Sequence, residues 1–242
     1  MKGSLYIITG CSRGLGRALK EKLCLDPGNQ VLGISRTQME ESNNFFHLGL
    51  DLADPKALIM SLGKIFPSGD FQKVVLINNA GWIGEIAPLG KLDPNGILDI
   101  FSLNLIAPAI LINGYVKQYQ NSESEKIVIN ISSGAAQKEL DGWSGYCGSK
   151  AGLNQLSMVA EEESRLKNSG IKYYALSPGI IDTEMQSEIR STSLHNFSRG
   201  ESFRSYKTQG DLVPPDSVAE KICYLIENSK NFKGVLLDVR NF

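Results

Sequence analysis

The sequence predicts a single α/β domain built on a doubly wound, seven-stranded parallel sheet with helices on both faces. Two observations carry this: seven short, near-continuously apolar runs recur along the chain, and helix-like segments stand between them. Runs that are apolar at successive positions suit strands covered on both faces, whereas half-exposed strands alternate. Strands that alternate with helices imply parallel pairing and right-handed crossovers.

The elements follow in order. LYIITG (5–10) reads as the first strand, and Leu15, Leu19 and Leu23 behind it recur at helical spacing. QVLGIS (30–35) and FFHLGL (45–50) are the second and third strands, and a helix of about 54–66 starts after them. KVVLIN (73–78) precedes a long helix of roughly 95–119, and KIVINIS (126–132) precedes another of roughly 146–168. IKYYALS (171–177) is the sixth strand, followed eventually by a helix of about 215–229 and by GVLLDV (234–239). Between Glu184 and Pro215 lies a polar stretch that fits neither period. Long connections in compact domains serve as lids or stay disordered, and a lid with some helix is expected over 184–215. Its polarity gives little reason for rigid packing without ligand. No internal repeat, linker or low-complexity tract divides the chain, so residues 1–242 read as one domain.

Composition removes several functions. Lys and Arg number 25 against 26 Asp and Glu, for a net charge of −1, which leaves no electrostatic case for nucleic acid. Cys11, Cys24, Cys147 and Cys223 form no CxxC pair, and His47 and His195 are the sole imidazoles, so neither a metal site nor a disulfide framework is expected. The apolar run near the N-terminus is too short for a signal-peptide core, and no later stretch reads as the ~20 apolar residues that span a bilayer. A cytoplasmic location without a membrane partner is the expectation.

The first strand ends in Gly10, Cys11, Ser12, Arg13, Gly14, Leu15 and Gly16, a GxxxGxG spacing that opens a helix. Glycines let the backbone approach a pyrophosphate closely, and the N–H groups of the helix start carry partial positive charge. Arg36 follows the second strand, where dinucleotide folds that bind NAD place an acid for the ribose 2′-OH. A guanidinium there, with Arg13 in the loop, suits a 2′-phosphate and predicts NADP(H). Asp51, with Leu52 beside it, either accepts from an adenine amino group or starts the next helix. Asn79, Ala80 and Gly81 close the fourth strand with small residues able to reach a ligand crevice.

Ser133 follows the fifth strand, and Tyr146 and Lys150 stand at the start of a helix. A four-residue offset puts tyrosine and lysine on one helical face. The ammonium favours the phenolate, so Tyr146 is expected to titrate below its usual value of about 10 and to serve as acid and base. Ser133 can donate to the same substrate oxygen. Seen alone, such a pair is an ordinary helix feature.

TGxxxGxG at the first turn, NNAG at 78–81, Asn104 in NLIAP, Ser133, YCGSK at 146–150 and PGIIDT at 178–183 together resemble the short-chain dehydrogenase/reductase superfamily across almost the whole chain. The resemblance implies a Rossmann domain, with Tyr146 as acid/base, Lys150 contacting the nicotinamide ribose, Ser133 holding a carbonyl and Asn104 supporting a relay water. It also implies cofactor contacts from Pro178, Gly179, Ile181 and Thr183, and pairing of the two long helices in a homodimer or homotetramer. LINNAG, NISSGAA, GWxxYC and DTEMQSEIRS look like the sepiapterin reductase and bacterial benzil reductase branch, which implies NADPH-dependent reduction of a small-molecule ketone, a vicinal diketone or a pterin-like carbonyl. Trp143 is then either a pocket wall or a core residue under the lid, with Met185 opposite it. Sepiapterin reductases carry an acid near the C-terminus where this chain has Asn241, which favours diketones over pterins. The alternatives are a 3-oxoacyl or sugar ketone reductase and a non-catalytic NADP(H) sensor.

Overall fold

A computed structural model describes residues 3–242. Its strands are β1 (Ser4–Thr9), β2 (Asn29–Ser35), β3 (Phe45–Gly49), β4 (Lys73–Asn78), β5 (Glu125–Ile131), β6 (Ile171–Ser177) and β7 (Leu236–Asp238). They form one sheet in the order β3-β2-β1-β4-β5-β6-β7, and every pairing is parallel. This is the predicted doubly wound α/β architecture. The chain winds outward from β1 through β2 to β3, returns to β4 on the other side of β1, and winds outward again. Such a reversal leaves a crevice beyond the carboxyl ends of β1 and β4, where ligands of open α/β sheets bind.

The helices are α1 (Gly14–Leu23), α2 (Pro55–Ile65), α3 (Pro94–Phe101), α4 (Ala107–Tyr119), α5 (Ser144–Lys167), α6 (Glu184–Ser191), α7 (Gly200–Gln209) and α8 (Pro215–Glu227). Leu15 and Leu19 of α1 and Ile222 and Leu225 of α8 pack on one face of the sheet. Leu58 of α2, Leu111 and Tyr115 of α4 and, at the margin, Leu156 of α5 pack on the other. The two layers explain the sequence pattern: β1, β4 and β5 are apolar at consecutive positions because both faces are covered.

Two elements add to the sequence reading. The long helix near 95–119 is interrupted by a π-helical segment, Ser102–Ile106, between α3 and α4. Against the expectation of no membrane-length stretch, Pro94–Tyr119 is long and apolar enough to cross a membrane by length and composition. Here it lies on the sheet, where the Tyr115 hydroxyl donates to the Val74 carbonyl at 2.7 Å. The 184–215 segment carries α6 and α7 and is pinned at both ends: Ile181 bridges Val213, Val213 N–H donates to the Ile180 carbonyl at 2.9 Å, and Asp182 N–H donates to the Val213 carbonyl at 3.0 Å.

Candidate active site

A cleft of about 1520 Å³ runs from the glycine loop to the 184–215 segment, the expected lid, across the carboxyl ends of the strands. Pockets for a single small ligand are typically ~300–1,000 Å³, so this one has room for a dinucleotide and a second molecule.

At one end the backbone makes the wall. Gly10 and Gly14 have φ of 68° and 52°, a left-handed conformation that side chains disfavour. A Cβ on Gly16 would stand 2.2 Å from the Gly10 carbonyl oxygen, so only glycine permits the loop to fold onto the helix start. Asn79 holds this turn in place, its Nδ2 donating to the carbonyls of Thr9 at 3.0 Å and Gly10 at 3.1 Å. The Thr9 hydroxyl accepts from the N–H groups of Asn79 and Ala80, both at 2.9 Å. Asn79 therefore braces the cradle with its amide, and the neighbouring Asn78 turns into the core, donating to Asn130 at 2.7 Å.

Arg13 is ion-paired with Glu184, the first residue of α6, and Arg36 Nη1 stands 4.0 Å from the Asp51 carboxylate. Both arginines are largely exposed and border the cleft. Of the two readings of Asp51, the helix start goes elsewhere: Asp54 caps α2, accepting from Lys56 and Ala57 N–H at 2.9 and 3.1 Å, while Asp51 accepts from Ala53 N–H at 2.9 Å. A glycine-lined backbone, two arginines and a carboxylate around one elongated space fit a dinucleotide.

In the middle of the cleft, Tyr146 and Lys150 stand on the first turns of α5, and Ser133 caps the short 3-10 turn after β5. Tyr146 is buried, and burial pushes its phenol up from the ordinary value, while the Ser133 hydroxyl beside it works in the opposite direction. The sequence expectation of a lowered tyrosine is thus overturned. The reason is desolvation of the phenol itself; burial also acts on Lys150, whose ammonium is pushed down to about 8 and donates to the Ile131 carbonyl at 2.8 Å. Its Nζ lies over the Tyr146 ring, 5.9 Å from the centroid, so the helical offset brings the two together at the edge of cation–π range.

Asn104 sits behind the cleft wall, 0% exposed, in the π segment. Its Oδ1 accepts from Trp82 N–H at 3.0 Å, and its Nδ2 donates to the Trp82 carbonyl at 2.8 Å and to Ser149 Oγ at 3.2 Å. Single π-turns inside α-helices recur at functional sites, and this one places a polar side chain beside Gly81. Leu15, Leu52, Ala80, Gly81, Ser12, Pro178, Gly179, Ile181 and Thr183 all line the cleft, whereas Gly16 and Asn104 support it from behind.

At the other end side chains make the wall. Trp143 satisfies both sequence readings: it lines the cleft and is 5% exposed under the lid. Its ring stacks on Phe197 at 4.9 Å and 13°, lies 5.3 Å from Phe203, and meets Tyr146 edge-on at 5.5 Å. Met185 packs against the same cluster. The Trp143 Nε1–H is buried and finds no partner among the described residues. Asp141 fixes the middle of the lid, accepting from Ser198 N–H and Oγ, each at 2.8 Å. The expectation of a loosely packed lid is corrected here: Phe197, 0% exposed, anchors it.

Sequence reasoning missed Phe197, Phe203 and Thr9, and it missed Arg240, which borders the cleft while Asp238 grips it at 2.8 and 2.6 Å. Two phenylalanines six apart in an otherwise polar stretch were the available signal for the lid anchor. Asn241 does not line the cleft.

A family model for short chain dehydrogenases matches residues 4–194. A benzil reductase ((S)-benzoin forming) of Bacillus cereus is 34% identical over 96% of this chain and 98% of its own length. A sepiapterin reductase of Meriones unguiculatus is 32% identical over 97% of this chain and 95% of its own. Among solved structures, a short chain dehydrogenase/reductase from Saccharomyces cerevisiae superposes with a TM-score of 0.83 at 24% identity, covering 98% of this chain and 96% of that one. A 4-hydroxyisoleucine dehydrogenase complexed with NADH superposes with a TM-score of 0.78 at 23% identity, covering 98% and 97%.

Proposed function

Because the chain belongs to the short-chain dehydrogenase family, and is therefore an oxidoreductase acting between C=O and CH–OH groups, we propose that it is an NADPH-dependent carbonyl reductase for flat ketones, vicinal diketones foremost. The observation that carries this reading is the position of the Tyr146 hydroxyl-bearing ring, edge-on to Trp143 at 5.5 Å and with Ser133 and Lys150 on the same cleft.

A bound nicotinamide supplies the hydride; the chain supplies everything around it. Gly10, Ser12, Arg13, Gly14 and Leu15 would hold the pyrophosphate side, Arg13 and Arg36 the 2′-phosphate, and Asp51 and Leu52 the adenine. Gly81, Pro178, Gly179, Ile181 and Thr183 would border the nicotinamide end. Reduction builds negative charge on the carbonyl oxygen. Tyr146 gives it a proton and Ser133 a hydrogen bond, both preorganised in a buried site where such donors are most effective. The Lys150 ammonium stabilises the phenolate that remains. Trp143, Phe197, Phe203 and Met185 exclude water and present aromatic surface, which favours diaryl or pterin-like carbonyls over sugars and acyl thioesters.

The test is NADPH oxidation against a panel of vicinal diketones, pterins, 3-oxoacyl thioesters and sugars. Turnover concentrated on the aromatic diketones is the expected result, and a preference for a sugar or thioester would overturn the substrate reading. The 184–215 segment acts as the substrate lid. Ile97, Leu98, Ile106, Met158 and Val159 leave apolar surface on α3, the π segment and α5, and a homodimer would cover it. Light scattering at micromolar concentration should give twice the chain mass or a higher multiple.

A further inference from the structure

We propose that His47, on β3 and outside the cleft, is a positioning residue for cofactor choice: it sets the turn that carries Arg36. This rests on the reading of Arg36 as the 2′-phosphate ligand. His47 Nε2 lies 2.9 Å from Ser35 Oγ, and Ser35 Oγ lies 2.9 Å from the Thr37 carbonyl oxygen. A hydroxyl has one proton, and a carbonyl can only accept, so the Ser35 proton goes to Thr37. The Ser35 oxygen must then receive its second bond from His47, which fixes the imidazole as the Nε2–H tautomer. The bonds run in one direction, from His47 through Ser35 to Thr37.

Two further observations agree with this polarity. Nδ1, the acceptor nitrogen of that tautomer, is buried and has no partner among the described residues, so no competing bond there pulls the ring the other way. The His47 backbone N–H donates to the Glu41 carboxylate at 2.8 Å, which fixes the residue by its main chain and leaves the ring to Ser35. Ser35 is 7% exposed, so solvent does not readily replace the bond if His47 is lost, and the Cys11 thiol beside it is only a weak donor.

The span that this relay closes is Ser35-Arg36-Thr37 at the carboxyl end of β2. Bending the Thr37 carbonyl back onto Ser35 fixes the backbone on both sides of Arg36, whose side chain is 73% exposed and held by a single distant carboxylate. An exposed guanidinium on a floating turn would lose much of its value to conformational freedom; on a fixed turn it is preorganised for the phosphate. His47 therefore contributes to NADPH binding and leaves NADH binding nearly untouched.

The experiment measures equilibrium binding of NADPH and of NADH by fluorescence titration to the wild type, His47→Phe, His47→Gln and Ser35→Ala. Loss of one such bond should weaken NADPH binding about five- to tenfold in His47→Phe, with NADH within about twofold. His47→Gln offers an amide N–H near the Nε2 position and should recover most of the loss. Should His47→Phe fail to fold, Ser35→Ala breaks the same relay at its centre and must show the same selective loss. Equal weakening of both cofactors, or no recovery with glutamine, overturns the proposal. A wild type without NADPH preference overturns the Arg36 reading and this one with it, whereas a preference that persists in His47→Phe and Ser35→Ala overturns this one alone.

Discussion

The glycine loop and the lid face each other along one cleft and are held by different forces. Gly10, Gly14 and Gly16 are fixed by main-chain geometry, with Thr9 and Asn79 tying two adjacent strand ends. Trp143, Phe197 and Phe203 are fixed by ring packing between a helix start and a distant segment. The first kind of wall depends on side chains that are absent, since any Cβ on Gly16 collides with backbone. The second depends on bulk that is present. One end therefore tolerates almost no change at its glycines, and the other can be resized.

The comparison breaks first at the residue that joins the two ends. Tyr146→Phe should lower turnover by about 10²–10⁴ while leaving NADPH affinity unchanged, because the cradle contains no part of the phenol. Rapid-reaction kinetics and cofactor titration on a folded variant check it, and loss of cofactor binding would show that the ends are coupled. Next comes the lid anchor. Removal of the fully buried Phe197 ring in Phe197→Ala should cost about 3–5 kcal/mol and raise the KM for aromatic ketones, with NADPH binding within about twofold. Thermal melts with steady-state kinetics separate the stability loss from the KM change.

At the backbone-built end, Arg36→Ala should weaken NADPH by roughly one to two decades and spare NADH, as isothermal titration would show. The smallest effect is in pH. Lys150 is held down to about 8, so the ammonium is present below that value and is lost as pH rises through it. Tyr146 is pushed the other way and stays protonated over this range. The ketone reduction rate should decline above about pH 8, and a profile flat to pH 10 would remove Lys150 from the proton chemistry.

The same contrast explains what could be read from the chain beforehand. The glycine spacing, Arg36, and Tyr146 with Lys150 are local patterns, and local geometry fixes them: a turn needs its glycines, and a helix puts i and i+4 together. The strands were visible because cover on both faces removes polar positions. Trp143 and Phe197 meet across 54 positions of sequence, and no periodicity records such a meeting. The Tyr146 shift was misjudged for a related reason. Spacing reveals the neighbouring charge of Lys150, whereas desolvation depends on how much of the rest of the chain closes over both groups. The π segment at Ser102–Ile106 was equally hidden, since one extra residue in a turn leaves the apolar pattern of the long helix nearly intact.

The bridge between Ile181 and Val213 makes the 184–212 segment a closed loop of its own. Because the segment leaves and rejoins the domain at one point, its length and content can change without moving any strand of the sheet. Each doubling of such a loop adds only about 0.6 kcal/mol of closure entropy. Insertions and exchanges in the exposed parts of 184–212 thus cost the sheet little, provided that the buried Phe197 anchor and the Ser198–Asp141 bonds are kept. Built this way, the segment is a cassette exchangeable around its anchor on an unchanged chassis.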